Sequence, residues 1–379
     1  MSYMKGSVMA QNVNTQCVSD GGVSIWLDDL SRDRLNSGSL QALIAEKNVV
    51  GVTTNPAIFQ KAIQGKGAYD EQIGELAKKG ASVDEVITEL TTTDVRAAAD
   101  IFRPVYGATN AVDGRVSIEV DPRLAHDSKE TAKQAEELWT KLDRSNGMIK
   151  IPATLESLPA ITATLAKGIS VNVTLIFSKK RYLQVIGAYI SGIEQAHKNG
   201  HDLTKIASVA SFFVSRVDTA IDKQLEEIGT AEAEALLGKS ALANARVAFA
   251  AYEKAFATDS RWAALEAAGA KKQRPLWAST GVKNPAYSPT LYVDELVGPD
   301  VVNTMPEGTL NAVAEQGHGG ADKLSGLGDE SQLILDQVEA LGISVSAVLD
   351  KLEKDGVDAF INAWTELIGD VQNNIDSKK

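Results

Sequence analysis

The chain has 379 residues, 44% of them hydrophobic and 23% charged, proportions that suit a folded protein with a large core and exclude disorder throughout. Its 38 Lys and Arg against 50 Asp and Glu leave a net charge of −12. No basic run overrides that field, so nucleic acid and anionic membrane are excluded as partners, and a phosphorylated ligand would need a few cations focused in one pocket. The single cysteine, Cys17, makes neither an intramolecular disulfide nor a thiolate metal site alone and fits a reducing compartment. No apolar run is long enough to span a bilayer, and the opening MSYMKGSVMAQNVNTQ lacks the apolar core of a signal peptide, so a cytoplasmic location is expected.

Short apolar or β-branched runs alternate with helix-like stretches, the signature of parallel strands with helical crossovers. In chain order the runs are Val23 to Leu27, Val49 to Thr53, Arg115 to Val120, Met148 to Ile151, Ser170 to Leu175, Lys205 to Phe213, Pro275 to Ala278 and Val301 to Thr304. Eight parallel strands close a barrel, and the expected fold is α/β, a (β/α)8 TIM barrel with additional helices. Val217, Ile221, Leu225 and Ile228 share one helical face and typify the outer ring. The Ala/Glu-rich sequence from Thr230 to Ala270 is too long for one crossover and adds helices around 230–270. A Gly-rich loop, Gly317 to Gly328, follows strand eight, and the tail after it is helical in pattern. With no internal repeat or low-complexity linker, residues 1–379 are expected to form one barrel domain with an N-terminal extension and a helical C-terminal tail. An open doubly wound sheet also alternates strands with helices, but no GxGxxG or GxxxxGK[ST] turn is present.

In a parallel barrel the chemistry sits where strands end, so polar residues that interrupt or close the apolar runs are the candidates. Asp28 closes the first run; Thr53, Thr54 and Asn55 close the second before Pro56; Glu119 sits in VSIEVD, Lys150 in MIKIP, Asn172 and Thr174 in SVNVTLIF; Ser211 and Ser279 end runs six and seven. Lys150, between two isoleucines, must be buried if the barrel closes, and desolvation then favours the free amine that attacks a carbonyl. The same lysine also fits a core ion pair with Glu119. Glu119, on an adjacent strand, has the chemistry to move protons for a Schiff base, directly or through water held by Thr174. Asp28 fits a helix cap and Asn55 a turn residue as readily as a site. Metal chemistry is not expected: His126, His197, His201 and His318 fall outside the strand runs. A Ser-His-Asp hydrolase is equally unexpected without a GxSxG turn.

At these residues the chain resembles the transaldolase family, within the class I Schiff-base aldolases, from about Ser24 to Lys283. The resemblance rests on WLDDLSR and GVTTNPAIF, then GRVSIEVDPRLAHD, MIKIPATLESLPAI, GISVNVTLIFS and ASFFVSRVD in that order. It implies Lys150 as the Schiff-base lysine, Asp28 handling protons at carbon–carbon cleavage, and Glu119 with Thr174 positioning the catalytic water. It implies Asn55 and Asn172 on substrate hydroxyls with Ser211 nearby, and Arg216 and Ser279 on phosphate. Where many members carry a second arginine, this chain has Gly281, which leaves Lys283 as the substitute cation. The implied reaction moves dihydroxyacetone from sedoheptulose 7-phosphate to glyceraldehyde 3-phosphate, giving erythrose 4-phosphate and fructose 6-phosphate, a step of the pentose phosphate pathway. It needs no cofactor, because the iminium is the electron sink, and the long loops over the strand ends are expected to keep water out. A fructose 6-phosphate aldolase-like lyase is the rival on the same scaffold. That branch typically has Tyr at the position of Phe213 and Gln at that of Glu119, so both residues point to transfer. An inert sugar-phosphate-binding barrel would be expected to have lost the lysine or its proton partners.

Overall fold

The computed structural model describes residues 11–64 and 67–378; the opening stretch 1–10, read above for a signal peptide, lies outside them. Eight parallel strands form a closed barrel in sequence order: β1 Val23–Leu27, β2 Val49–Val52, β3 Arg115–Glu119, β4 Gly147–Pro152, β5 Val171–Ile176, β6 Ser208–Phe213, β7 Arg274–Ala278 and β8 Val301–Met305. β8 closes on β1 over the full length of both, from Val23 opposite Val301 to Leu27 opposite Met305. The expected strand six began too early. Residues Leu203–Lys205 make a 3-10 turn instead, because the Asp202 side chain accepts the Thr204 N–H and bends the chain.

Side chains of alternate residues share a face, and this parity divides the barrel interior into two ends. At the C-terminal ends Asp28, Lys150 and Ser211 line one cavity. Two residues earlier on the same strands, Trp26, Met148 and Val209 line another, at the N-terminal ends. Trp26, fully buried, lies against Gly51, where a Cβ would come within 2.6 Å of three indole ring atoms. Glycine here makes room for the tryptophan.

Helices Ala231–Glu234, Ser240–Thr258 and Trp262–Ala267 occupy the expected insertion. In the helix Ser215–Ile228, Val217, Ile221 and Leu225 are buried, but Ile228 is 36% exposed. It sits beside Gly229, whose left-handed conformation (φ 63°) ends the helix. Cys17 is exposed on the helix Val13–Asp20. The loop from Gly317 leads into helix Gly328–Ala340, and the last helix, Val345–Asp376, runs 32 residues.

That last helix, rather than the loops alone, covers the C-terminal ends of the strands. It packs on β5, on Ser215–Ile228 and on the helix Pro56–Ile63. Gly356 permits the approach: a Cβ there would meet Leu175 at 3.1 Å and Phe177 at 3.4 Å. Arg181 fastens the helix through Glu353 with bonds of 3.0 and 2.9 Å, a bidentate geometry. Among the described residues no single helix is long and apolar enough to cross a membrane; only the sharply bent pair Gly328–Ala340 and Val345–Asp376 passes by length and composition together.

Gly51→Ala should overpack the barrel against Trp26 and destabilise the fold by about 1–3 kcal/mol, read as a lower urea midpoint with unchanged m-value.

Candidate active site

β3, β4 and β5 set the centre of the site by register: Glu119 lies opposite Lys150, and Lys150 opposite Asn172. Lys150 is 4% exposed and Glu119 6%. The Lys150 Nζ lies 3.3 Å from Glu119 Oε2 and donates to the Thr54 carbonyl at 2.9 Å. Neither Glu119 oxygen makes an aligned hydrogen bond, and Thr174 Oγ1 has none either. Burial pushes the Glu119 carboxyl from its ordinary 4.5 up to about 7, against the opposing pull of the Lys150 charge. Across the cavity burial also raises Asp28, while Lys150 and the Thr53 hydroxyl, 2.7 Å from its Oδ1, draw it back. Thr53 in turn meets Thr304 at 2.6 Å. An amine thus faces two carboxyl groups whose proton affinities are raised by burial, the environment in which a carboxyl exchanges protons near neutrality.

The cavity, about 190 Å³, runs from this centre to Arg216, Ser279, Gly281 and Lys283. Arg216 stands in the first turn of Ser215–Ile228, 5.4 Å from the Phe213 ring, and among the described residues it makes no hydrogen bond or ion pair. Burial lowers its pKa and the Asp355 charge opposes that. Ser279 is held at φ 55°, where a side chain costs on the order of 1–3 kcal/mol. Its carbonyl accepts from the Ser215 N–H at 3.0 Å, and the two hydroxyls lie 2.9 Å apart. At Gly281 a Cβ would sit 3.4 Å from Thr309 Oγ1, ordinary contact.

Asp28, Asn55, Lys150, Thr174, Ser211, Phe213, Arg216, Ser279 and Lys283 all line this one cavity. Asn55 is also the N-cap of Pro56–Ile63, its side-chain oxygen accepting the Ile58 N–H at 3.0 Å, which leaves its amide NH2 to face a ligand. Asn172 does not line the cavity. Fully buried, it donates to Ser117 at 3.1 Å and accepts from Ser211 at 2.7 Å; it steadies Ser211 from beneath. Glu119 likewise sits behind Lys150 rather than on the wall. None of the four histidines lines the cavity. Ala57, Ala278, Thr304, Pro306 and Phe360 also line it without having been foreseen; Phe360 comes from the last helix, and its ring centre lies 5.6 Å from Lys150 Nζ. The buried positions of that helix mark an apolar face, but nothing in them names what the face covers.

A carboxyl whose folded pKa lies above its unfolded value binds more protons folded than unfolded between the two, so its contribution to stability falls as pH rises through that window. For Glu119 the window runs from 4.5 to about 7. The stability of the wild type relative to Glu119→Gln should therefore decline from the acid side to the neutral side, by at most about 1.4 kcal/mol per pH unit. Urea denaturation of both proteins across that window measures it; a constant difference would mean that Glu119 titrates normally.

The profile of the family described as Transaldolase/Fructose-6-phosphate aldolase matches residues 25–371. The chain is 58% identical over 371 residues to a protein named transaldolase from Saccharopolyspora erythraea, covering 98% of this chain and 100% of the relative. It is 58% identical over 360 residues to the transaldolase of Thermobifida fusca, covering 95% and 98%, and 59% identical over 365 residues to that of an Arthrobacter species, covering 96% and 98%. With a closed eight-stranded barrel, a buried lysine beside a buried carboxyl, and a match along nearly its whole length, the chain belongs to the transaldolase/fructose-6-phosphate aldolase family.

Proposed function

We propose that the chain is a transaldolase, a transferase that carries a dihydroxyacetone unit from a ketose phosphate to an aldehyde phosphate as a Schiff base on Lys150. One observation carries the reading: Lys150 Nζ, almost wholly out of water and 3.3 Å from Glu119 Oε2, opens on a cavity whose far end holds Arg216 and Lys283. The substrates are sugar phosphates, with sedoheptulose 7-phosphate as donor and glyceraldehyde 3-phosphate as acceptor.

The Lys150 amine attacks the ketose carbonyl carbon, and Glu119, with a water shared with Thr174, supplies the protons that release the carbonyl oxygen as water. Asp28 then takes the proton of the hydroxyl beside the scissile bond. The carbon–carbon bond breaks, its electron pair moves into the iminium, and an aldose leaves while an enamine stays on Lys150. The enamine attacks the acceptor aldehyde, Asp28 returns the proton, and hydrolysis frees the new ketose. Asn55 and Ser211 hold hydroxyls, Asn172 supports Ser211, and Arg216, Ser279 and Lys283 hold phosphate, where the charge-assisted bonds are strongest.

The family description covers both transfer and cleavage. Transfer is favoured by Phe213, an apolar ring that offers no proton near the enamine, and by Glu119. We further propose that the N-terminal extension, the inserted helices and the last helix belong with the barrel to one domain, and that the protein acts in the cytoplasm, which suits its lone cysteine.

With fructose 6-phosphate and borohydride, the adduct should fall on Lys150, and Lys150→Ala should lose turnover by several orders of magnitude while keeping the fold; peptide mass spectrometry locates the label, and an adduct on another lysine would overturn the assignment. Free dihydroxyacetone formed without acceptor should stay far below the transfer rate; comparable rates would favour the lyase.

Arg216→Ala should raise KM for phosphorylated donors at least about tenfold with little change for unphosphorylated ones, since the lost bonds lie away from the reacting carbons. Lys283→Ala should act in the same direction. Equal losses on both donor types would make these residues structural.

A further inference from the structure

At the other end of the barrel, the N-terminal ends of the strands enclose a second cavity of about 290 Å³. Trp26, Met148 and Val209 form its apolar floor, and Arg115, Arg274, Lys271 and Lys272 stand around it with only Glu266 and Asp300 in opposition. Arg115, the first residue of β3, is 1% exposed. All its hydrogen bonds go to neutral groups: the Ser145 carbonyl at 3.3 Å, the Ser170 hydroxyl at 3.2 Å and the Ala111 carbonyl at 2.6 Å. Its Nε has no partner. Arg274 meets a carboxylate, Asp113, at 2.9 Å, but Asp113 also accepts from Ser24 and Trp26. Lys271 donates to the Asn110 carbonyl at 2.8 Å, leaving two of its protons.

Four cations therefore stand among three carboxylates, Asp113, Glu266 and Asp300, and among the described residues only Asp113 forms an ion pair with one of them, Arg274. Burial, with the Arg274 charge, brings Arg115 down to about 10 against the opposing pull of Tyr106 and Asp113. Lys271 is lowered by burial and by both arginines. Among the described residues Arg115 has no ion pair, and a buried charge without one is costly and stands out in a chain of net charge −12. The catalytic reading gives this end of the barrel no task.

We propose that this cavity binds a small organic oxyanion, a phosphate monoester or a carboxylate, with Arg115, Lys271 and Lys272 on the charged group and Trp26, Met148 and Val209 against its body. A guanidinium and two ammonium groups supply the charge-assisted donors that such an anion needs. The site is separate from Lys150, so its test does not depend on the reaction.

Isothermal titration of the full chain with inorganic phosphate and, separately, with malonate tests the idea, using wild type, Arg216→Ala and the double variant Lys271→Ala/Lys272→Ala. Both lysines lie toward the surface, and an unchanged Tm confirms the fold. The wild type should bind at least one of the two anions at a site that Arg216→Ala leaves intact and the double variant weakens at least about tenfold, the worth of one charge-assisted bond. Preference for phosphate or for malonate then identifies the oxyanion. Binding removed by Arg216→Ala alone, binding untouched by the double variant, or no binding of either anion would overturn the proposal.

Discussion

An amine and a carboxyl share a space almost closed to water at the end of β4, and much of the molecule serves to keep them there. Removing either group would leave the other buried and unpaired, which costs far more than the pair contributes. The pair is also imperfect. The contact between Lys150 and Glu119 is 3.3 Å without an aligned hydrogen bond on either Glu119 oxygen, and burial outweighs the lysine charge enough to bring the carboxyl to about 7. A tighter, well-aligned bridge would have fixed both charges and made the lysine a poorer nucleophile. On the proposed mechanism, looseness at this contact is what leaves a proton free to move.

Two of the non-glycine residues with positive φ lie at the same end. Leu175, at φ 60°, follows Thr174 where the β5–β6 register shifts, and Ser279, at φ 55°, follows β7. Both are non-glycine residues at the C-terminal ends of strands, where distortion of this kind persists only if the surroundings over-determine it. At Leu175 the surroundings include Gly356 of the last helix, so the element that covers the site also presses on the strained residue beside Thr174. Cover and distortion are one packing event.

The strands were legible because burial on both faces writes a parallel strand as a continuous apolar run, and a lysine or glutamate inside such a run is conspicuous. Their parity was legible too, since alternate residues share a face. Register was not. That Glu119 faces Lys150, and that Asn172 spends its amide on Ser117 and Ser211 rather than on the cavity, depends on how neighbouring strands slide past one another, which a single strand does not encode. The start of strand six failed for a local reason, the Asp202 cap. Phe360 failed for a distant one: it lies more than two hundred residues after Lys150 in the chain, on an amphipathic helix whose pattern gives a buried face without its partner.

Transfer and cleavage differ only in what reaches the carbanion equivalent after the first carbon–carbon bond has broken. Protonation leads to release, whereas an aldehyde leads to a new bond. The walls around Lys150 bear on that choice. Phe213 and Phe360 both line the cavity, and Phe213 is backed by Phe177 at 5.0 Å between ring centres, with Phe177 itself under Gly356. Apolar rings there hold out unorganised water and offer no acidic hydrogen. On the proposed mechanism the two carboxyl groups, Asp28 and Glu119, are each tied to a step in which a proton must move. On that mechanism, a barrel that must hold an enamine until its second substrate arrives sets two aromatic rings among the hydroxyls of its cavity, and it draws one of them from the far end of the chain, where the last helix closes the site from above.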